Sequence, residues 1–295
     1  MKATVFLGGG RITSALVAGL RLAGYREPIL VHDRNLKKLQ AIRRKYGTAV
    51  EPDLRRAVES ALVLIVAVRP ESVRELLARI AAFKLSRPLT VVSLAAGIPL
   101  SMLHSRLGSP VKWARAMPSP VCRTGHGLTA LTFSKGFPVA ARKRVRDLFS
   151  LVGTVVEIPE KQFDAFTVTY SSSHGYHALS ALLAAAEGIG LEPRFAQLAA
   201  AHALADGIAA WRVGDASLEE LSQEAATPGG IAAAAMNAID GGGYRQSIVS
   251  GLRAGMKQAK KNAQEMRKKL ECSDDVQGVQ ALRRSQKPRL SKQNY

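Results

Sequence analysis

The chain has 295 residues of which 47% are hydrophobic, enough to fill one large or two ordinary cores, so intrinsic disorder is excluded for its bulk. A formal net charge of +19 admits nucleic acid, anionic lipid or phosphorylated ligands as partners, but the excess is spread along the sequence, which fits a soluble basic enzyme better. Cys122 and Cys272 make neither a disulfide framework nor a set of metal ligands, and no metal is expected.

Residues 1–10 pass from a single lysine into a short apolar segment ending in glycines, unlike a secretory signal, and no run reaches ~18 consecutive apolar residues. The expectation is a cytoplasmic protein without a membrane span. Apolar runs at 4–7, 29–32, 62–68 and 90–95, separated by stretches of helical spacing, predict βαβ units around a parallel sheet. The segment 61–68, ALVLIVAV, is apolar at consecutive positions, as in a central strand buried on both faces, and Arg69-Pro70 end it. Further strands are predicted at 111–114, 128–132 and 154–158, with a helix over 140–151, and the sheet closes near Pro159.

Beyond Lys161 come long Ala/Leu-rich segments at 162–188, 194–213, 218–225, 230–238 and 243–269, which predict helices only. Segments 178–186 and 198–210 are apolar on nearly every side, and a helix without a polar face needs burial all round. A unit this small supplies that by pairing with a second copy, so an intertwined homodimer is expected. Trp113 and Trp211 read as core residues, and residues 271–295 read as a disordered basic tail.

The segment FLGGGRITSA, from Phe6, follows a predicted strand and opens a helix, the context of a dinucleotide phosphate loop. Gly8 permits the tight turn, Gly9 follows it, and Gly10 lets the backbone approach a pyrophosphate. Arg11 and Ile12 bring the amides of a helix N-terminus. Thr13 stands where a third glycine is usual, with Ala15 two positions on. Asp33, at the end of the second strand, suits the ribose hydroxyls of NAD, while Arg34 beside it suits the 2′-phosphate of NADP, with His32, Lys37 and Lys38 adding positive charge. Both cofactors stay open. The domain expectation is an α/β Rossmann domain with a doubly wound parallel sheet over 1–159, an all-helical dimerisation and substrate domain over 160–270, and the tail.

Six patches then follow in order: Ala67-Val68-Arg69-Pro70-Glu71, Ser93-Leu94-Ala95-Ala96-Gly97-Ile98, Arg115-Ala116-Met117-Pro118, Asp164-Ala165 with Ser171 and Ser173, Thr227-Pro228-Gly229-Gly230, and Gly243-Tyr244-Arg245. They resemble A-V-K-P-Q, S-x-A-A-G-I, R-x-M-P, D-A-x-T-A-x-S-G-S-G-P, S-P-G-G and G-x-R of the pyrroline-5-carboxylate reductase family, and the resemblance runs from Gly8 to about Lys260. It implies reduction of a small cyclic imine by NADPH or NADH, pyrroline-5-carboxylate to proline or a related reaction, in a homodimer or a multiple of dimers. It adds Ala67, Val68, Arg69, Pro70, Ala95, Ala96, Gly97, Met117 and Pro118 to the cofactor contacts. It assigns the substrate carboxylate to Ser171, Ser173, Thr227, Gly229 and Gly230.

Departures from the family pattern fall at the expected active site. Met117-Pro118-Ser119-Pro120-Val121 replaces M-P-N-T-P, His174 replaces a glycine of S-G-S-G-P, and Ile231-Ala232 replace two threonines. A histidine near a hydride transfer can donate a proton, so the candidate catalytic set is His174, Ser173 and Thr227; the same residues can also serve as helix caps. A 3-hydroxyacid dehydrogenase would need a catalytic lysine on the first long helix, and 162–190 contains none. A non-catalytic NAD(P)-binding protein stays possible. Nucleic acid is disfavoured because basic residues are not interleaved with aromatics.

Overall fold

The computed structural model describes residues 2–85 and 87–285. The chain forms two compact units, one built from the residues up to Thr167 together with those from Met256 on, the other from Val168–Gly255.

The first unit is a single sheet of β1 (Ala3–Leu7), β2 (Ile29–His32), β3 (Ala49–Val50), β4 (Ala61–Val66), β5 (Leu89–Ser93), β6 (Val111–Pro118), β7 (Gly127–Phe133) and β8 (Gly153–Glu157), in the order β3-β2-β1-β4-β5-β6-β7-β8. Its helices are α1 (Arg11–Leu22), α2 (Leu36–Tyr46), α3 (Leu54–Ser60), α4 (Pro70–Ala81), α5 (Leu100–Arg106) and α6 (Val139–Ser150), while α7 (Phe163–Thr169) leads into the second unit. The first six strands run parallel in the doubly wound order, with the switch between β1 and β4. The expected apolar runs are thus strands of an α/β sheet. β3 was not predicted, since two residues carry no periodicity.

β7 departs from the parallel pattern by pairing antiparallel with β6, for example Ala116↔Leu131. The link 119–126 holds only a 3-10 turn, Pro120–Thr124, and is too short for the crossover that a parallel neighbour requires. α6 then supplies such a crossover, and β8 lies parallel to β7.

Both faces of the sheet are covered. Val5, Leu7, Leu64 and Val66 join one core with Leu77, Ile80 and Trp113; Phe6, Val63 and Ile65 join the other with Leu16, Leu20 and Phe149. Burying each of these side chains is worth about 1.5–3 kcal/mol, which explains the uninterrupted apolar sequence of β4. Helix starts are fixed locally: Asn35 Oδ1 accepts from the amides of Lys37 and Lys38 ahead of α2, Asp53 caps α3, and Pro70 opens α4.

The second unit contains α8 (Ser172–Gly188), α9 (Pro193–Val213), α10 (Leu218–Ala225), α11 (Ile231–Gly241) and the start of α12 (Tyr244–Ser285). The predicted helix over 162–188 is broken at Tyr170-Ser171, where Ser171 caps α8. Within this unit the helices keep apolar side chains on the surface: Phe195, Leu198, Ile208 and Trp211 are all exposed. Trp113 is a core residue as expected, but Trp211 is not, being 43% exposed in the single chain. Helix α12 runs to Ser285, past residue 271 where the basic tail was expected to begin; the sequence offers no proline until Pro288. The remaining part of that expectation, 286–295, lies outside the described residues. Among the described residues no helix is long and apolar enough to cross a membrane.

Candidate functional site

A cleft of about 870 Å³ opens at the carboxyl ends of β1, β2 and β4. Its floor is the loop after β1. Gly8 has φ +114°, and a Cβ there would sit 2.6 Å from the Ala67 carbonyl oxygen, so the position admits only glycine. The Gly8 amide donates to the His32 carbonyl at 2.7 Å and the Ala67 amide to the Leu7 carbonyl at 2.8 Å, which fixes the loop against both neighbouring strands. Gly10 is the N-cap of α1, and the space where its Cβ would stand is empty to 4 Å. A phosphate therefore has room to approach the first amides of α1, which have no partner within the helix.

Thr13 is fully buried and donates from Oγ1 to the Gly8 carbonyl at 2.5 Å. The threonine in place of the third glycine thus braces the loop from beneath. Close packing of α1 is achieved further along by Gly19, where a Cβ would meet the Cys122 carbonyl oxygen at 2.1 Å. Cys122 itself is no nucleophile: burial pushes its thiol up to about 12.

Asp33 locks the two loops together. Its Oδ2 accepts from the Gly9 amide at 2.7 Å and its Oδ1 from the Asn35 amide at 2.8 Å. Arg34 lies beside it on the cleft and pairs with Glu75 at 3.0 Å. The far wall is one stripe of α4, namely Ser72, Glu75, Leu76 and Arg79, whose spacing of three and four residues sets them on one face. Lys38, Lys45 and Arg123 also line the cleft. Sequence reading missed the α4 stripe and Arg123, because nothing in a helix's own spacing says which loop it will face.

Of the expected cofactor contacts, Gly8, Gly9, Gly10, Arg11, Asp33, Arg34, Ala67, Val68 and Arg69 line this cleft. Ile12 and Pro70 are not among its lining residues, nor are Ala95, Ala96, Gly97, Met117 and Pro118. Ala95 is in the core, and Gly97, at φ +76°, lets α12 approach: a Cβ there would lie 2.9 Å from the Ala259 carbonyl oxygen. Arg115, two residues before Met117, is buried and bridges Glu160 at 2.8 Å and Asp164 at 2.9 Å, with its guanidinium over the Phe163 ring.

In the second unit the structure gathers Ser171, Ser173 and His174 at the start of α8. The two hydroxyls are 2.7 Å apart, and the His174 amide donates to the Ser171 carbonyl. His174 Nε2 lies 2.7 Å from the Val168 carbonyl oxygen. A carbonyl only accepts, so Nε2 carries the hydrogen and Nδ1 is the nitrogen left for other chemistry. Thr227, Pro228, Gly229 and Gly230 form a turn closed by the Gly230 amide on the Thr227 carbonyl at 2.9 Å, with Gly229 at φ +79° and Pro228 before it, a type II turn. Gly230 is the N-cap of α11. Its amide is spent on the turn, so the donors expected here reduce to the Thr227 hydroxyl, the Gly229 amide and the first turn of α11, where Ile231 is 93% exposed.

Comparison with known proteins gives two family matches. Residues 4–97 match the model described as NADP oxidoreductase coenzyme F420-dependent, and residues 160–262 match pyrroline-5-carboxylate reductase dimerisation. The pyrroline-5-carboxylate reductase of Mycobacterium tuberculosis (strain ATCC 25618 / H37Rv) is 29% identical over 293 residues, covering 90% of this chain and 97% of that protein. Among solved structures, a pyrroline-5-carboxylate reductase from Coxiella burnetii superposes with a TM-score of 0.79 at 25% identity, covering 89% of this chain and 98% of the other. The Plasmodium falciparum pyrroline carboxylate reductase with NADP bound gives 0.80 at 19% identity, with coverage of 89% and 98%.

Proposed function

The chain belongs to the pyrroline-5-carboxylate reductase family, and we propose on that ground that it is an NADPH-dependent reductase of a small cyclic imine, pyrroline-5-carboxylate or a close relative, working as a homodimer or a multiple of dimers. The observation that carries the reading is the loop of Gly8, Gly9 and Gly10 braced by Thr13 and locked to Asp33.

The residues present fit the cofactor. Gly10 leaves room at the N-terminus of α1 for a pyrophosphate, whose charge the helix dipole favours. Asp33, held by two amides, presents its remaining lone pairs to ribose hydroxyls, and Arg34, Lys38 and Arg79 give the cleft the positive charge that a 2′-phosphate needs. Bound there, the reduced nicotinamide supplies a hydride to the imine carbon.

The protein's own share is positioning and proton supply. Hydroxyls of Ser171, Ser173 and Thr227, with the Gly229 amide, are assigned to the substrate carboxylate, and Gly230 shapes the turn that presents them. His174 is assigned the proton for the imine nitrogen. With Nε2 committed to Val168, the ring delivers it from Nδ1, and only when both nitrogens are protonated.

The test is oxidation of NADPH by the purified protein with pyrroline-5-carboxylate. Turnover is expected, and His174→Ala is expected to lower kcat about 100-fold or more with little change in KM. NADPH binding without turnover of any cyclic imine would instead support a non-catalytic binder, the alternative favoured by Ile231 and Ala232 where the family carries hydroxyls.

A further inference from the structure

The ribose end of the cleft holds a contradiction in charge. Arg34 is the cation that its place beside Asp33 assigns to a 2′-phosphate, yet its Nη1 lies 3.0 Å from Glu75 Oε1, and both residues line the cleft. Asp33 stands next to Arg34 in sequence with each carboxylate oxygen on a backbone amide, so it does not swing aside. Two carboxylates therefore flank one arginine, and the second of them comes from α4.

We propose that Glu75 sets the balance between NADPH and NADH by competing with the 2′-phosphate for Arg34, an inference that rests on the dinucleotide reading of the cleft given above. A phosphate monoester brings about −1.5 to −2 charges near neutral pH. To pair with Arg34 it must displace or share Glu75, whose carboxylate then lies beside the phosphate with its counter-charge diverted. NADH carries a hydroxyl at that position and makes no demand on Arg34. Glu75 therefore penalises NADPH and leaves NADH nearly untouched. Lys38 and Arg79 line the same cleft and still favour a phosphate, so the outcome is a moderated NADPH preference and not its reversal.

The experiment is titration of the full-length protein with NADPH and with NADH, followed by nicotinamide fluorescence, for the wild type, Glu75→Gln, Glu75→Asp, Arg34→Gln and the Arg34→Gln/Glu75→Gln double variant. Both Arg34 and Glu75 are more than half exposed, so folding is expected to survive these changes, and thermal melts check it. Glu75→Gln is expected to tighten NADPH about fivefold, the upper range for an exposed ion pair, with NADH within about twofold. The gain shrinks at high salt, is absent in Glu75→Asp, and disappears when Arg34 is removed as well. An equal shift for both cofactors, no shift, or a gain that survives loss of Arg34 overturns the role of Glu75. Failure of the wild type to bind either cofactor overturns the dinucleotide reading itself.

Discussion

Arg115 shows how much a single side chain holds. It is buried on β6, bonded to Glu160 and Asp164 and stacked over Phe163, and its Nε has no partner among the described residues. Arg115→Ala strands two carboxylates that are each about one-third exposed, and the expected loss is about 3 kcal/mol, the lower end for breaking a buried pair. Urea unfolding measures it directly; a loss below about 1 kcal/mol would show that the bridge is ornamental. The sequence singled out this arginine only as part of an R-x-M-P patch. Its partners stand 45 and 49 residues further on, a distance no local pattern reads. Gly8 and Gly10 were legible for the opposite reason: a tight turn between strand and helix restricts its own residue types within a few positions, while Asp33 was read from its place at the end of the second strand. His174, the proposed proton donor, stood out as a substitution in a family pattern, but its bond to Val168, and hence which nitrogen is left, depends on the fold.

At the scale of elements, α1 is seated by Gly19 as firmly as by its phosphate loop. Placing a Cβ at Gly19 sets it 2.1 Å from the Cys122 carbonyl oxygen and 2.9 Å from Val152, so helix and 3-10 turn must part. Gly19→Ala is expected to cost about 2–3 kcal/mol, seen as a lowered Tm together with weaker NADPH binding, because the amides that face the phosphate move with the helix. An unchanged Tm would refute the close packing. The sequence located the parallel strands within a few residues because two-sided burial writes itself as uninterrupted apolar runs. It did not locate β3, too short for any period, nor the antiparallel turn into β7, which follows from the brevity of the link and not from composition.

For the whole molecule the largest expectation is assembly. Segments read as apolar on every side are helices in the second unit whose Phe195, Leu198 and Ile208 lie exposed in the single chain, and residues 160–262 match a dimerisation family. Sedimentation is expected to give a dimer or a multiple of it, and the Phe195→Asp/Leu198→Asp pair to shift the mass toward the monomer at micromolar concentration, since charge is costly at a buried apolar face. A monomeric wild type would contradict this. Trp211 shows the limit of reading burial from sequence: an aromatic in an apolar run is taken for core, and the sequence does not say whether its cover comes from the same chain.

The order in which the chain visits its two units has a mechanical side. It leaves the first unit after Thr167 and returns to it at Met256, where Ala259 seats against Gly97, so in chain order the helical unit is a closed excursion from the first. Tension applied between the two termini enters and leaves through the sheet-bearing unit. The excursion carries no load until the returning helix has been peeled from Gly97, so a pulling experiment should record that detachment before any of the helices from α8 to α11 extends.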